Sequence, residues 1–212
     1  PLTPMKLQIQ RVARLKAKGD PAWADKFDEA ALVLLDQIDI LTDTADEFSS
    51  LARLVTEEST RIDLDALLRE EILMFDNNER IEFDYIGLHG VFVTGPKPQL
   101  ARVFVNLMTN AVQALGEDGG RIRVELRNST EDGFYDIVVA DSGPGVTEEN
   151  VPKLFMPDFT TKTSGSGLGL AISRSILTRC GARIEYSRDY LLGGACFTVT
   201  YPKNSDESQK NG

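Results

Sequence analysis

Close to residue 60 the spacing of apolar residues changes period, and with it the kind of structure the chain can form. Before that point Phe27, Ala31, Leu34, Ile38, Leu41, Ala45, Phe48, Ala52 and Val55 alternate steps of four and three without a slip. That is the heptad spacing of helices packed along a narrow seam. Leu2, Met5, Ile9 and Val12 form a shorter helical stripe, and Gly19-Asp20-Pro21 separates the two. Two helices alone bury such a seam poorly. The pattern therefore predicts a helical hairpin that pairs with a second copy as a four-helix bundle, the alternative being a hairpin lying on the rest of its own chain.

After residue 60 the pattern changes character. Asp63 is a natural N-cap for the helix "LDALLREEILMF". Beyond it "RIEFDYIG", "VFVTG", "RIRVELR", "YDIVVAD", "RIEYS" and "CFTVTYP" read as strands, with turns marked by Asn77-Asn78, Gly119-Gly120 and Asp132-Gly133. Helical patterns lie at about residues 97–115 and 168–180. Strands interrupted by helices predict an α/β sandwich with a helical layer on one sheet face. The fold class is thus α+β: a hairpin over 1–59, an α/β-sandwich domain over 60–203 and a polar, disordered tail over 204–212.

Charge and cysteine usage narrow the function. The net charge of −10, with no Lys/Arg-rich stripe, argues against nucleic acid and anionic membrane surfaces and favours a neutral or basic partner patch. Cys180 and Cys196 lack C-x-x-C spacing and read as small core residues in a reducing compartment. No run reaches the ~18 apolar residues of a membrane span, and no signal-peptide pattern opens the chain. A cytoplasmic location is expected, with membrane contact only through upstream segments of a longer protein.

The stretch "TTKTSGSGLGLAIS" sets glycines at alternate positions and runs into a helix. Such backbone can approach a ligand closely, and the helix start offers unpaired N–H groups to an anion, so phosphate is the natural guest. Taken alone the loop also reads as a flexible Gly/Ser turn. A dinucleotide fingerprint is excluded because Leu170 stands where its last glycine belongs, and no Gly-Lys-Ser/Thr of a Walker loop is present. Two further segments sharpen the reading. "DSGPG" ends the strand "YDIVVA", leaving Asp141 beside Gly143 and Gly145; a carboxylate there accepts the exocyclic amine of adenine and rejects guanine's carbonyl. "NLMTNAVQAL" sets Asn106 and Asn110 four apart on one helical face, with Gln113 next in line, and amide oxygens suit Mg2+ that shares phosphate charge.

In this order, Asn106-Leu-Met-Thr-Asn110, Asp141-Ser-Gly143-Pro-Gly145, Phe155-Met-Pro-Asp-Phe159-Thr-Thr-Lys162 and Gly165-Ser-Gly167-Leu168-Gly169-Leu resemble the N, G1, F and G2 boxes of sensor histidine kinases. These share the GHKL (Bergerat) fold with gyrase and MutL ATPase domains. The "FTTK" and "DEFSSLAR" segments are most similar to the nitrogen-regulation type. The resemblance covers essentially the whole chain, the hairpin matching the dimerisation and phosphotransfer domain. It implies that ATP and Mg2+ bind here. Asn110 would ligate Mg2+ with Asn106 assisting, and Asp141 would bind adenine lined by Gly143 and Gly145. Phe155 and Phe159 would anchor a lid, Gly165, Gly167 and Gly169 with Leu168 would wrap the phosphates, and Thr161 and Lys162 would contact the γ-phosphate.

The resemblance also implies a reaction. In ATPase relatives a Glu that activates water stands in the place of Asn106, and an amide has no such basicity. Transfer of the γ-phosphate to a histidine is expected instead, followed by relay to an aspartate of a response-regulator receiver domain, in a homodimer joined by the hairpin. The family's H-box reads His-Glu-x-Lys-Asn-Pro-Leu-Thr. This chain begins "PLTPMKL", so the acceptor is expected just ahead of Pro1 and the chain alone is not expected to autophosphorylate. Its one histidine, His89, is expected to be structural. Asp36, Asp39, Asp43, Asp46 and Glu47 read as the solvated face of the bundle. Gly95-Pro96 replaces a frequent Asp, and Ala195 in "GGACF" stands where Thr is common. The alternative from another class is a pseudokinase or scaffold module that dimerises and docks partners without phosphotransfer.

Overall fold

The structure is a computed structural model that describes residues 2–19, 23–24, 26–35, 38, 58–75, 80–161 and 167–204. In chain order the helices are α1 (Leu2–Ala17), α2 (Leu64–Leu73), α3 (Lys97–Leu115) and α4 (Gly169–Arg179). The strands are β1 (Thr60–Asp63), β2 (Ile81–Ile86), β3 (Phe92–Gly95), β4 (Gly120–Asn128), β5 (Phe134–Asp141), β6 (Arg183–Arg188) and β7 (Ala195–Pro202).

Five strands make the main sheet in the order β2-β4-β5-β7-β6. Only the β2–β4 pair is parallel; β4–β5, β5–β7 and β6–β7 are antiparallel. A small antiparallel pair, β1–β3, runs from Thr60↔Gly95 to Asp63↔Phe92. The hydroxyl of Tyr201 on β7 donates to the Thr94 carbonyl at 2.9 Å and ties the large sheet to the small one.

Alternation along the strands sorts residues between two faces. Ile122, Val124, Leu126, Ile137, Val139, Val199 and Tyr201 line the face covered by helices, each 2% exposed or less. The opposite face carries charged residues around a small apolar cluster of Val138, Ala140 and Cys196, packed by Leu192. Against the inner face α3 presents Leu100, Val103, Phe104, Leu107, Met108, Ala111 and Leu115, a stripe at steps of three and four. Proline at its first turn presets the backbone there, and Gly116 ends it at φ 59°. At the start of α2, Asp63 caps as expected, its Oδ1 accepting the Ala66 N–H at 3.1 Å.

Every strand read from the sequence after residue 80 is present, as are the helices at 97–115 and within 168–180. One element was not anticipated. β1, "TRID", is too short to show alternation and sits beside a capping signal. In the N-terminal region α1 and the helical residues 26–35 are described, with Lys16 stacked 5.1 Å from the centre of the Trp23 ring. The remaining heptad positions from Leu41 to Val55, the acidic residues 36, 39, 43, 46 and 47, the Asn77-Asn78 turn and the tail from 205 lie outside the described residues. Among the described residues no helix is long and apolar enough to cross a membrane. Both cysteines are free thiols, Cys196 buried and Cys180 half-buried.

Candidate functional site

Asp141 is the last residue of β5, and its parity with Val139 and Ile137 turns its side chain to the helical layer. It is 3% exposed. The N–H groups of Gly143 and Ala195 donate to the same oxygen, Oδ1, at 2.8 and 3.2 Å. Both backbone bonds therefore fall on one oxygen of the carboxylate. Burial pushes the carboxyl pKa up, the two N–H bonds pull it back, Asp189 adds to the rise, and the net displacement is upward. Gly194 makes this close approach feasible, because a Cβ there would collide with the Asp141 carbonyl and carboxylate. Gly143 packs on Ala114 near the end of α3, and Gly145 adopts φ 73° with Val146 N–H bonded to the Tyr186 hydroxyl at 3.1 Å.

One turn along α3 from Ala114 stands Asn110, and one turn further Asn106. Asn110 Nδ2 donates to Asn106 Oδ1 at 3.4 Å, and Asn106 Nδ2 donates to Ser173 Oγ of α4 at 3.0 Å. The first residue of α4, Gly169, passes so close that a Cβ would lie 2.5 Å from Asn106 Oδ1. Leu168 at the N-cap of α4 makes no side-chain cap bond, and the helix opens at the end of the glycine loop, the position an anion site requires. The turn after the strand-end carboxylate, at Gly143, and the loop's last glycine, Gly169, thus both pack against α3, the helix that carries the two amides.

Between β5 and α4 the backbone of Gly167, at φ 70°, packs against Asp158 and Phe159, where a Cβ would come within 2.7 Å of the Asp158 carbonyl carbon. Asp158 itself takes φ 63°, rare for a residue with a side chain. Phe155 meets Phe197 edge-on at 6.4 Å, Phe197 meets Tyr186 at 5.6 Å, and the Arg174 guanidinium stacks 5.5 Å from Phe155. Phe159 is partly buried against the same core. Leu168 directly precedes α4, and Thr161 is exposed at the edge of the described chain. Lys162 and Gly165 lie outside the described residues.

The donor set suits an adenine nucleotide with a divalent cation. A pinned carboxylate offers one oxygen to an amine, two glycines admit close approach, and a helix start faces an anion. Among the described residues no cluster of three or more His, Cys, Asp or Glu gathers for a metal. A cation here would have to share amide oxygens with phosphate, which fits Mg2+ rather than a thiolate- or imidazole-seeking ion.

Sequence reasoning missed three contributors. Gly194 and the Ala195 N–H belong to the carboxylate's cradle; "GGACF" was noticed only for its missing hydroxyl. Tyr186 and Phe197 brace Phe155 from strands distant in sequence. Ser173 sat unnoticed among apolar neighbours. His89 stands outside the constellation, in the turn after β2, where Nδ1 pairs with Asp65 Oδ2 at 2.7 Å. Burial opposes ionisation of Asp65, but hydrogen bonds from Tyr85, His89 and Arg69 hold its carboxyl below the usual value.

Comparison with known proteins gives consistent findings. The profile of the histidine kinase-, DNA gyrase B-, and HSP90-like ATPases matches residues 95–205. Sensor histidine kinase ZraS of Klebsiella oxytoca is 29% identical over 208 residues, which cover 96% of this chain and 44% of that protein. Nitrogen regulation protein NtrY of Azorhizobium caulinodans is 29% identical over 192 residues, covering 87% of this chain and 25% of that protein. The chain thus spans less than half the length of either relative. Among solved structures, the catalytic domain of histidine kinase ThkA superposes with a TM-score of 0.62 and 32% identity, covering 69% of this chain and 96% of that one.

Proposed function

The chain belongs to the histidine kinase-, DNA gyrase B-, and HSP90-like ATPase family, and from that premise we propose that it is the catalytic core of a sensor histidine kinase. It binds Mg-ATP, passes the γ-phosphate to a histidine, and feeds a response-regulator aspartate. The observation that carries the reading is the pinning of Asp141: two backbone N–H groups hold one oxygen of a carboxylate that is 3% exposed at the end of β5.

The division of labour follows from the chemistry of each group. Asp141 and the backbone at Gly143 and Gly145 orient the base. Gly167, Gly169 and the opening of α4 hold phosphate oxygens, with Gly165 in the same loop, and Thr161 and Lys162 contact the terminal phosphate as the lid held by Phe155 and Phe159 closes. Asn110, with Asn106 assisting, offers oxygen to Mg2+, which screens phosphate charge when bound. Asn106 has no basicity with which to activate water, so positioning favours transfer over hydrolysis. The domain boundary falls near residue 60, with 1–59 as the dimerisation hairpin. Seam residues Ile9, Phe27 and Ile38 are 54%, 53% and 46% exposed, apolar surface that a second copy would cover.

The first test is a titration of this chain with ATP and GTP, with and without Mg2+. Tight, magnesium-dependent ATP binding and weak GTP binding are expected; equal affinity for the two bases would overturn the assignment of Asp141. Asn110→Asp places a carboxylate beside the phosphates. It is expected to weaken metal-free ATP binding about tenfold through like-charge repulsion, with Mg2+ restoring much of the loss. An unchanged metal requirement would remove Asn110 from the ligand set.

Phosphotransfer has its own readout. A chain extended so that His-Glu-x-Lys-Asn precedes Pro1 is expected to take up label from the γ-phosphate in an acid-labile, alkali-stable bond, lost when that histidine is changed. ATP binding without such label would leave a nucleotide-binding scaffold.

A further inference from the structure

Ser173 lies one turn into α4 from Gly169, in the stripe with Ile172, Ile176 and Leu177, and is only 2% exposed. A hydroxyl buried in an apolar stripe is costly unless it is hydrogen-bonded, so its partner indicates what it is for. That partner is Asn106 Nδ2, at 3.0 Å. The other end of the same amide, Oδ1, receives Asn110 Nδ2 at 3.4 Å.

The amide of Asn106 is therefore held at both ends. Turning it over would set two NH2 groups against each other at Asn110 and lose the bond there. In the observed orientation the donor of Asn110 is directed back to Asn106, and its carbonyl oxygen is turned the other way. The hydroxyl is the only part of this chain of bonds contributed by α4, the helix that opens on the glycine loop.

We propose that Ser173 is a positioning residue for the metal-side amides: its hydroxyl fixes the orientation of Asn106, which fixes Asn110 with its oxygen toward Mg2+. This rests on the reading of the site as one for Mg-ATP. Ser173 itself touches neither metal nor nucleotide. Because it rides on α4, a shift of the loop helix is carried to the amides through one hydrogen bond, so phosphate contact at the loop and metal contact at α3 are coupled.

The test compares wild type with Ser173→Ala in three measurements. The Mg2+ midpoint for ATP binding is expected to rise about fivefold, the effect of losing one neutral hydrogen bond that holds a ligand in place. Binding of ATP in excess chelator is expected to stay within twofold, since Asp141 and the loop are untouched. In nucleotide-free protein, the side-chain NH2 signals of Asn106 are expected to move and exchange faster with water. Ser173→Cys, close in volume but a weak acceptor, is expected to give an intermediate midpoint.

Equal Mg2+ midpoints would overturn the proposal. A parallel loss of chelator and magnesium binding would also overturn it, because that is the mark of a general packing defect. If wild type binds no ATP, the reading of the site fails, while the Asn106 signals still decide whether Ser173 orients the amide.

Discussion

Replacing Asp141 with Asn is expected to lower ATP affinity about 100-fold and at the same time to raise the melting temperature of the nucleotide-free protein at neutral pH. Both effects come from the same geometry. In the variant the side-chain oxygen keeps the Gly143 and Ala195 N–H bonds, and the new NH2 takes the place of Oδ2. Adenine then presents its amine to another donor. Losing a charge-assisted hydrogen bond and facing two donors together costs ~3 kcal/mol. Stability moves the other way because the wild-type carboxylate is buried with a raised pKa. A group whose folded pKa lies above its unfolded value favours folding at acid pH, and that contribution is lost as pH rises through the folded pKa. At neutral pH wild type has therefore lost stability that it holds at acid pH, a loss that Asn does not share. The gap in melting temperature should shrink as pH falls and Asp141 takes up a proton. Calorimetric melts of both proteins across pH, paired with nucleotide titrations, check it; a variant less stable than wild type at pH 7 would contradict the account.

Phe104→Ala is expected to be the most damaging single change to the fold. Phe104 is 0% exposed at the middle of α3, where the helix crosses the inner face of the sheet. Truncating a buried Phe removes its transfer energy and leaves a cavity, costing about 3–5 kcal/mol. A domain of ordinary stability has ~5–15 kcal/mol in all. Because Asn106 and Asn110 sit on the same helix, the loosened α3 should weaken nucleotide binding as well. Urea denaturation is expected to show a much lower midpoint with an unchanged slope; a midpoint shift below ~1 kcal/mol equivalent would show that the neighbouring side chains collapse into the space.

The sheet and its helical layer were legible because one face is wet and the other dry. Alternation in "RIRVELR" set its facing, the apolar run of "YDIVVAD" marked a strand buried on both faces, and the apolar stripe of α3 announced its length. The boxes marked the strand end, the helix and the loop that converge. What stayed hidden has a common cause: contacts between elements far apart in sequence. The pairing of Asp141 with the Ala195 N–H joins strands through no local pattern. Ser173 did leave a trace, a lone polar residue at an apolar position of α4, and Asp65 left the same trace in "LDALLREE". A buried polar residue inside an apolar stripe asks for a partner, and that question was available from the sequence. The hairpin stands on periodicity alone, since most of its second run lies outside the described residues.

The single parallel pair in the sheet, β2 with β4, is one of two long-range pairings on which the site depends. Parallel neighbours cannot be joined by a tight turn, so the chain between them makes a long excursion, and that excursion contains β3 and all of α3. Closing it costs entropy before any contact repays the loss. The helix bearing both amides lies inside that excursion, and the still longer one from β5 to β7 contains Phe155, Phe159 and all of α4. Competence to bind nucleotide therefore waits on two long-range pairings, β2 with β4, which closes around the amides, and β5 with β7, which brings the Ala195 N–H to the carboxylate and folds α4 between them.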